Sequence, residues 1–127
     1  MISGLTDTKY INLETCRKNG ERVRTPVWFI ELAGKLYLRT DTNSGKIKRI
    51  ANNENIRVAP CDIRGNIKGD WISGKARVES KNDVEYETIN LLINKKYLFQ
   101  HFFVKIMYKF RNIKVAIVSI ELIQQTD

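Results

Sequence analysis

The sequence predicts a mainly β protein of the α+β class. It has six antiparallel strands closed into a barrel, a short basic helix after the third strand and a helical pair before the last. Three observations carry this reading. Alternating or β-branched segments recur from residue 10 onward, separated by glycine-containing turns. Residues 84–111 instead space their apolar side chains as a helix does. Residues 113–123, IKVAIVSIELI, then return to β-branched composition.

Residues 1–8 are compatible with a short turn or helix, and the first strand is expected over 10–16. Asn19-Gly20 follows, a strong hairpin signal because both residues tolerate positive φ. The second strand is expected over 22–32, with Pro26 inside it; a residue without an N–H donor implies an edge, a bulge or a ligand-facing segment. Ala33-Gly34 turns the chain into a third strand over 35–40, completing a meander. A polar turn leads to the basic helix, 46–53, and then to a fourth strand over 56–62. The fifth is expected over 67–79, where Gly74 implies a bulge or a close backbone approach. Ser80-Lys81-Asn82-Asp83 fits a capping box ahead of helices over 84–94 and 97–111. Phe99, Phe102, Phe103 and Phe110 lie on the apolar stripe of the second, which is expected to cover the barrel.

At 127 residues the chain suits a single domain, 1–127. No apolar run approaches the roughly 20 residues that span a bilayer, so no membrane partner is expected. The opening MISGLTDTKY lacks a basic start and an apolar core, so a cytoplasmic setting is expected. Cys16 and Cys61 belong to no metal-ligand cluster and read as two reduced thiols. His101, the one histidine, has no triad or zinc partner nearby in sequence. A net charge of +8 brings polyanions into consideration: nucleic acid, anionic lipid or a phosphorylated small molecule. Nucleic acid rests on charge alone.

The stretch from Leu36 to Arg57 holds the main candidate site. Thr40, Thr42 and Ser44 supply hydroxyls, Gly45 admits an anion close to the main chain, and Lys46, Lys48 and Arg49 add charge. Backbone N–H groups at a helix start, joined by a cation, suit a phosphate. The P-loop pattern fails, because Thr40 stands where its first glycine belongs and Ile47 follows the lysine. The competing reading is a solvated basic helix with ordinary caps. Trp28, beside Pro26, and Trp71 could wall a flat ring or simply fill a core.

In order, Thr15–Gly20, Thr25–Phe29, Leu36–Thr40, Ser44–Ile50, Asn52-Asn53, Val58–Asp62 and Gly74–Val78 resemble the pyridoxamine 5'-phosphate oxidase-like split-barrel flavin and deazaflavin oxidoreductases. The nearest subgroup is the small F420-dependent branch. The resemblance implies a six-stranded split barrel, a homodimer with cofactor sites at the subunit interface, and FMN or coenzyme F420 as cofactor. It implies ring contacts from the main chain of Arg24, Thr25, Pro26, Val27 and Trp28. Ribityl and phosphate contacts fall on Arg39, Thr40, Ser44, Gly45, Lys46, Lys48 and Arg49. Gly45 departs from the pattern, since flavin-binding relatives often have arginine there. The chain also lacks the Arg- and His-containing final segment of the oxidase proper, so an activity other than pyridoxamine phosphate oxidation is expected. Hydride transfer to or from a small organic substrate is the implied reaction, with no acid or base identifiable. The alternative is a non-catalytic module that binds or stores a flavin or another anionic ligand.

Overall fold

The computed structural model describes Leu5 and residues 8–79, 86–96 and 115–123. The expected capping box and the helix over 97–111, with its phenylalanines and His101, lie outside these residues. The elements are β1 (Tyr10–Cys16), β2 (Arg22–Trp28), β3 (Ile30–Leu32), β4 (Lys35–Asp41), α1 (Gly45–Asn52), β5 (Asn55–Cys61), β6 (Ile72–Val78), α2 (Tyr86–Lys96) and β7 (Val115–Leu122). All ladders are antiparallel, in one sheet of order β2-β1-β5-β6-β7-β4-β3.

The sheet has seven strands, not the six expected, because the run over 22–32 breaks at Phe29. Its first half pairs with β1, Tyr10 opposite Trp28, and its second half with β4, Ile30 opposite Tyr37. β2 and β3 themselves stand at opposite ends of the strand order, so one continuous segment joins both edges and curls the sheet into a barrel. The meander is thus two hairpins sharing a kinked run. The second hairpin turns on Ala33 (φ 52) and Gly34 (φ 81), the two positive φ values of a type I′ turn.

The fifth strand is also shorter than expected, beginning at Ile72. Residues 62–66 form a turn held by Asp62, whose Oδ1 accepts the Arg64 and Asn66 N–H groups at 2.9 Å each. Ile67 keeps only an isolated bridge to Cys61. Cys16 and Cys61 are free and lie at opposite ends of paired strands, six residues or about 20 Å apart.

Alternation along the strands sorts side chains into two cores. Ile11, Leu13, Leu36, Leu38, Val58, Ala76, Val118 and Ile120 fill the barrel with Phe29 and Leu5. On the outside, Ile30, Tyr37 and Ile117 meet Ile89 and Ile93 of α2, with Trp28 against them. Helix α1 lies over β1 and β6, its Ile47 and Ile50 turned into the inner core and Lys48 and Ala51 exposed. At Gly74 the strands approach closely: a Cβ there would stand 2.8 Å from the Glu121 carbonyl oxygen of β7. Gly74→Val is therefore expected to destabilise the fold by about 1–3 kcal/mol, read as a lowered urea midpoint with unchanged slope.

Candidate functional site

The break at Phe29 creates a cleft. Continued past Ile30 and Tyr37, the β3–β4 register would set Trp28 opposite Arg39 and Pro26 opposite Asp41. Instead β2 turns away to β1, and no ladder joins β2 to β4 among the described residues. One wall of the split is thus the main-chain edge of Arg24–Trp28, with Pro26 on that edge. The other is the end of β4 and the start of α1. The two strands still touch.

The far wall is built from a turn and a helix start. Asp41 accepts the Asn43 N–H at its carboxylate (2.8 Å) and the Ser44 N–H at its carbonyl (2.9 Å), which aims the chain into α1. Ser44 is the N-cap residue, but its side chain makes no capping bond and the first turn has no acidic residue. Its hydroxyl instead accepts from Thr40 Oγ1 at 3.3 Å. The first-turn N–H groups therefore carry their partial positive charge without a side-chain acceptor among the described residues.

Two cations crowd this corner. Lys46 is half-buried, and burial, then the neighbouring Arg49, push its ammonium below its ordinary value. Burial, then Arg17, likewise lower the Arg49 guanidinium. Arg49 Nε donates to Thr15 Oγ1 of β1 at 2.6 Å, and no carboxylate pairs with Arg49 or Lys46 among the described residues. Gly45 makes room for the arrangement: a Cβ there would lie 2.6 Å from Arg49 Nη1. Arg49 thus reaches back over position 45.

The other expected residues divide. Thr40, Ser44, Gly45, Lys46 and Arg49 share the corner. Lys48 is exposed, and its carbonyl accepts from Asn52 Nδ2. Arg39 alternates with Thr40 and so shares the outer face with Tyr37. Val27 packs on the inner core and Trp28 on the outer one, which leaves main chain as the cleft-facing feature of β2.

Arg24 belongs to a network that the sequence reading missed. Glu14, 2% exposed, faces Arg24 and Arg57 across β2 and β5. Its carboxylate accepts from Arg57 Nε (2.7 Å) and Nη2 (2.9 Å), Arg24 Nε (2.8 Å) and Arg22 Nη1 (3.3 Å). The Arg57 bonds, then those of Arg24 and the charges of Arg57 and Arg22, outweigh burial and hold Glu14 down at about 2. The Trp71 ring stacks with both guanidiniums, 4.6 Å from Arg24 and 5.1 Å from Arg57, so it is a structural member of this cluster. Hairpin pairing around Gly20 could have placed Arg24 beside Glu14; Arg57 needed the β1–β5 ladder. Thr15 and Arg17 carried no signal of their own.

This architecture, a curled antiparallel sheet split along one seam, defines a fold class with known members. The chain has the split-barrel fold of pyridoxamine 5'-phosphate oxidase-like FMN- and F420-binding proteins. HutZ, a heme storage protein from Vibrio cholerae, aligns at a TM-score of 0.71 with 8% identity, over 94% of this chain and 84% of that one. An FAD-binding protein from Mesorhizobium loti aligns at 0.64 with 15% identity, over 95% and 84%. An F420 reductase aligns at 0.60 with 16% identity, over 96% and 92%. No protein-family model and no curated protein sequence matches the chain. No described helix is long and apolar enough to cross a membrane.

Proposed function

We propose that the split between β2 and the β4–α1 corner holds FMN or coenzyme F420. On this reading the chain is an oxidoreductase that passes a hydride to or from a small organic substrate. The carrying observation is the pair Lys46 and Arg49, two partly desolvated cations held together over an uncapped helix start. Two like charges in this position repel each other, and an arriving phosphate relieves that repulsion while accepting charge-assisted hydrogen bonds. Thr40, Ser44, Lys46 and Arg49 would take the phosphate, and the Arg24–Trp28 main chain would lie along the ring. The bound cofactor supplies the hydride chemistry; these residues bind it, orient it and exclude water. A homodimer in the cytoplasm, with a second copy closing the open side of each cleft, completes the reading.

Titrating the purified chain with FMN and with F420 tests it. One of the two is expected to quench the Trp28 and Trp71 fluorescence saturably and to shift its own visible spectrum. Unchanged fluorescence and spectra with both, at concentrations far above the protein's, sink the proposal.

The fold shared with HutZ favours a second reading, non-catalytic binding or storage. It predicts equally tight binding with no turnover when reductant and acceptors are supplied.

A further inference from the structure

The inner row of β1 runs Ile11, Leu13, Thr15, and all three are buried, at 0%, 0% and 1% exposure. The first two belong to the inner core. The third puts a hydroxyl where the alternation asks for an apolar side chain. Valine suits a strand as well as threonine does, so what position 15 adds is the oxygen rather than the shape. A buried hydroxyl costs free energy unless it is hydrogen-bonded. Thr15 Oγ1 is: it accepts from Arg49 Nε at 2.6 Å, a bond from α1 onto β1 across 34 residues of sequence.

Arg49 has reason to leave this corner. Lys46 feels its positive charge, and Arg49 feels that of Arg17, which stands two residues beyond Thr15. Like charges push a long, flexible side chain towards solvent. The bond at Nε opposes that push at one end of the guanidinium. At the other end Nη1 lies over Gly45, 2.6 Å from where a Cβ would stand. With Nε–H spent on Thr15, a guanidinium keeps four N–H donors on its two Nη atoms.

We propose that Thr15 is a positioning residue for phosphate recognition: its buried hydroxyl holds Arg49 by Nε, so that the Nη groups stand over the start of α1 as a fork for phosphate oxygens. The inference rests on the cofactor reading above and adds to it a residue that acts through Arg49, without contact to the ligand. It also assigns Thr15 a share in specificity. A phosphate-bearing ligand gains from a guanidinium already in place, because the ordering of its side chain is not charged to binding. The same ring without a phosphate gains nothing from Thr15.

FMN with riboflavin, and F420 with its phosphate-free deazaflavin, are two pairs that differ in the phosphate-bearing tail. Fluorescence titration of the full chain with all four compounds tests the proposal. The parent is expected to prefer the phosphate-bearing member of the pair it binds. Thr15→Val should weaken that member about three- to tenfold and leave the phosphate-free member unchanged, and Thr15→Ser should restore the parent values. Arg49→Met should weaken the phosphate-bearing member about tenfold or more, and adding Thr15→Val to it should change nothing further. In nitrogen-15 spectra of the ligand-free protein, the Arg49 Nε–H should be protected from exchange in the parent and in Thr15→Ser, and lose protection in Thr15→Val. Thermal melts establish that each variant is folded; should Thr15→Val fail, Thr15→Ala makes the same comparison. Unchanged preference for the phosphate-bearing member in the hydroxyl-free variant, equal losses for both members of the pair, or additive losses in the double variant would overturn the positioning role alone. A parent that binds none of the four compounds overturns the cofactor reading, and this inference with it.

Discussion

Replacing Glu14 with alanine is expected to destabilise the protein by about 3–5 kcal/mol, the largest single effect we anticipate. The carboxylate is 2% exposed and accepts hydrogen bonds from three arginines on β2 and β5. Removing it leaves Arg24 and Arg57 crowded against Trp71 with their shared counter-charge gone. Equilibrium urea unfolding at neutral pH measures the loss; a change below about 1 kcal/mol would mean that the network behaves as an ordinary surface pair. Acid should produce a graded version of the same result. The folded-state value of Glu14, about 2, lies below its ordinary 4.5, so its stabilising contribution is complete above pH 4.5 and disappears as pH falls through 2. A shift of that size corresponds to about 3 kcal/mol. The Glu14→Ala variant should lack this part of the acid sensitivity.

Lys46→Ala is expected to weaken binding of the phosphate-bearing cofactor by about 1.5–3 kcal/mol, or roughly 10- to 150-fold, with the fold intact. The lysine is half-buried beside Arg49 with no carboxylate partner among the described residues, so truncating it relieves repulsion in the free protein. Stability of the unliganded chain should therefore hold or rise while affinity falls. Lys46→Arg should restore part of the affinity, since the charge returns on a longer and flatter group. Fluorescence titration of the three proteins provides the comparison, and equal affinities would remove Lys46 from the site.

Most strands were legible because half-buried β-structure writes its period directly into the sequence. The misreadings have specific physical causes. Residues 22–32 have continuous strand character, and nothing local reveals that Trp28 and Ile30 have partners at opposite ends of the sheet. Alternation over 67–71 mimicked strand, but the Asp62 turn and the Lys68 bond to the Pro60 carbonyl hold that segment as loop. Gly74 in a strand implies a bulge or a close backbone approach, and the second is what the fold has: a Cβ there would meet a backbone oxygen. At the site, the helix start and its charges could be read from Ser44–Arg49. The role of Gly45 required three dimensions, because only the fold shows Arg49 lying over it.

Strand β7 is hydrogen-bonded between β4 and β6, although its residues follow α2 in the chain. Until it arrives, the hairpin of β3 and β4 and the ladder of β2, β1, β5 and β6 share no strand pairing among the described residues and are linked through the kinked run at Phe29 and through α1, with β4 and β6 each presenting an unpaired edge. Synthesis on the ribosome therefore delivers this staple after both of the strands it joins. Most of the chain must wait as two half-sheets with apolar faces in water, the condition in which nascent chains recruit chaperones or aggregate. Barrel closure here is a single late event, with the long sequence separations that slow folding.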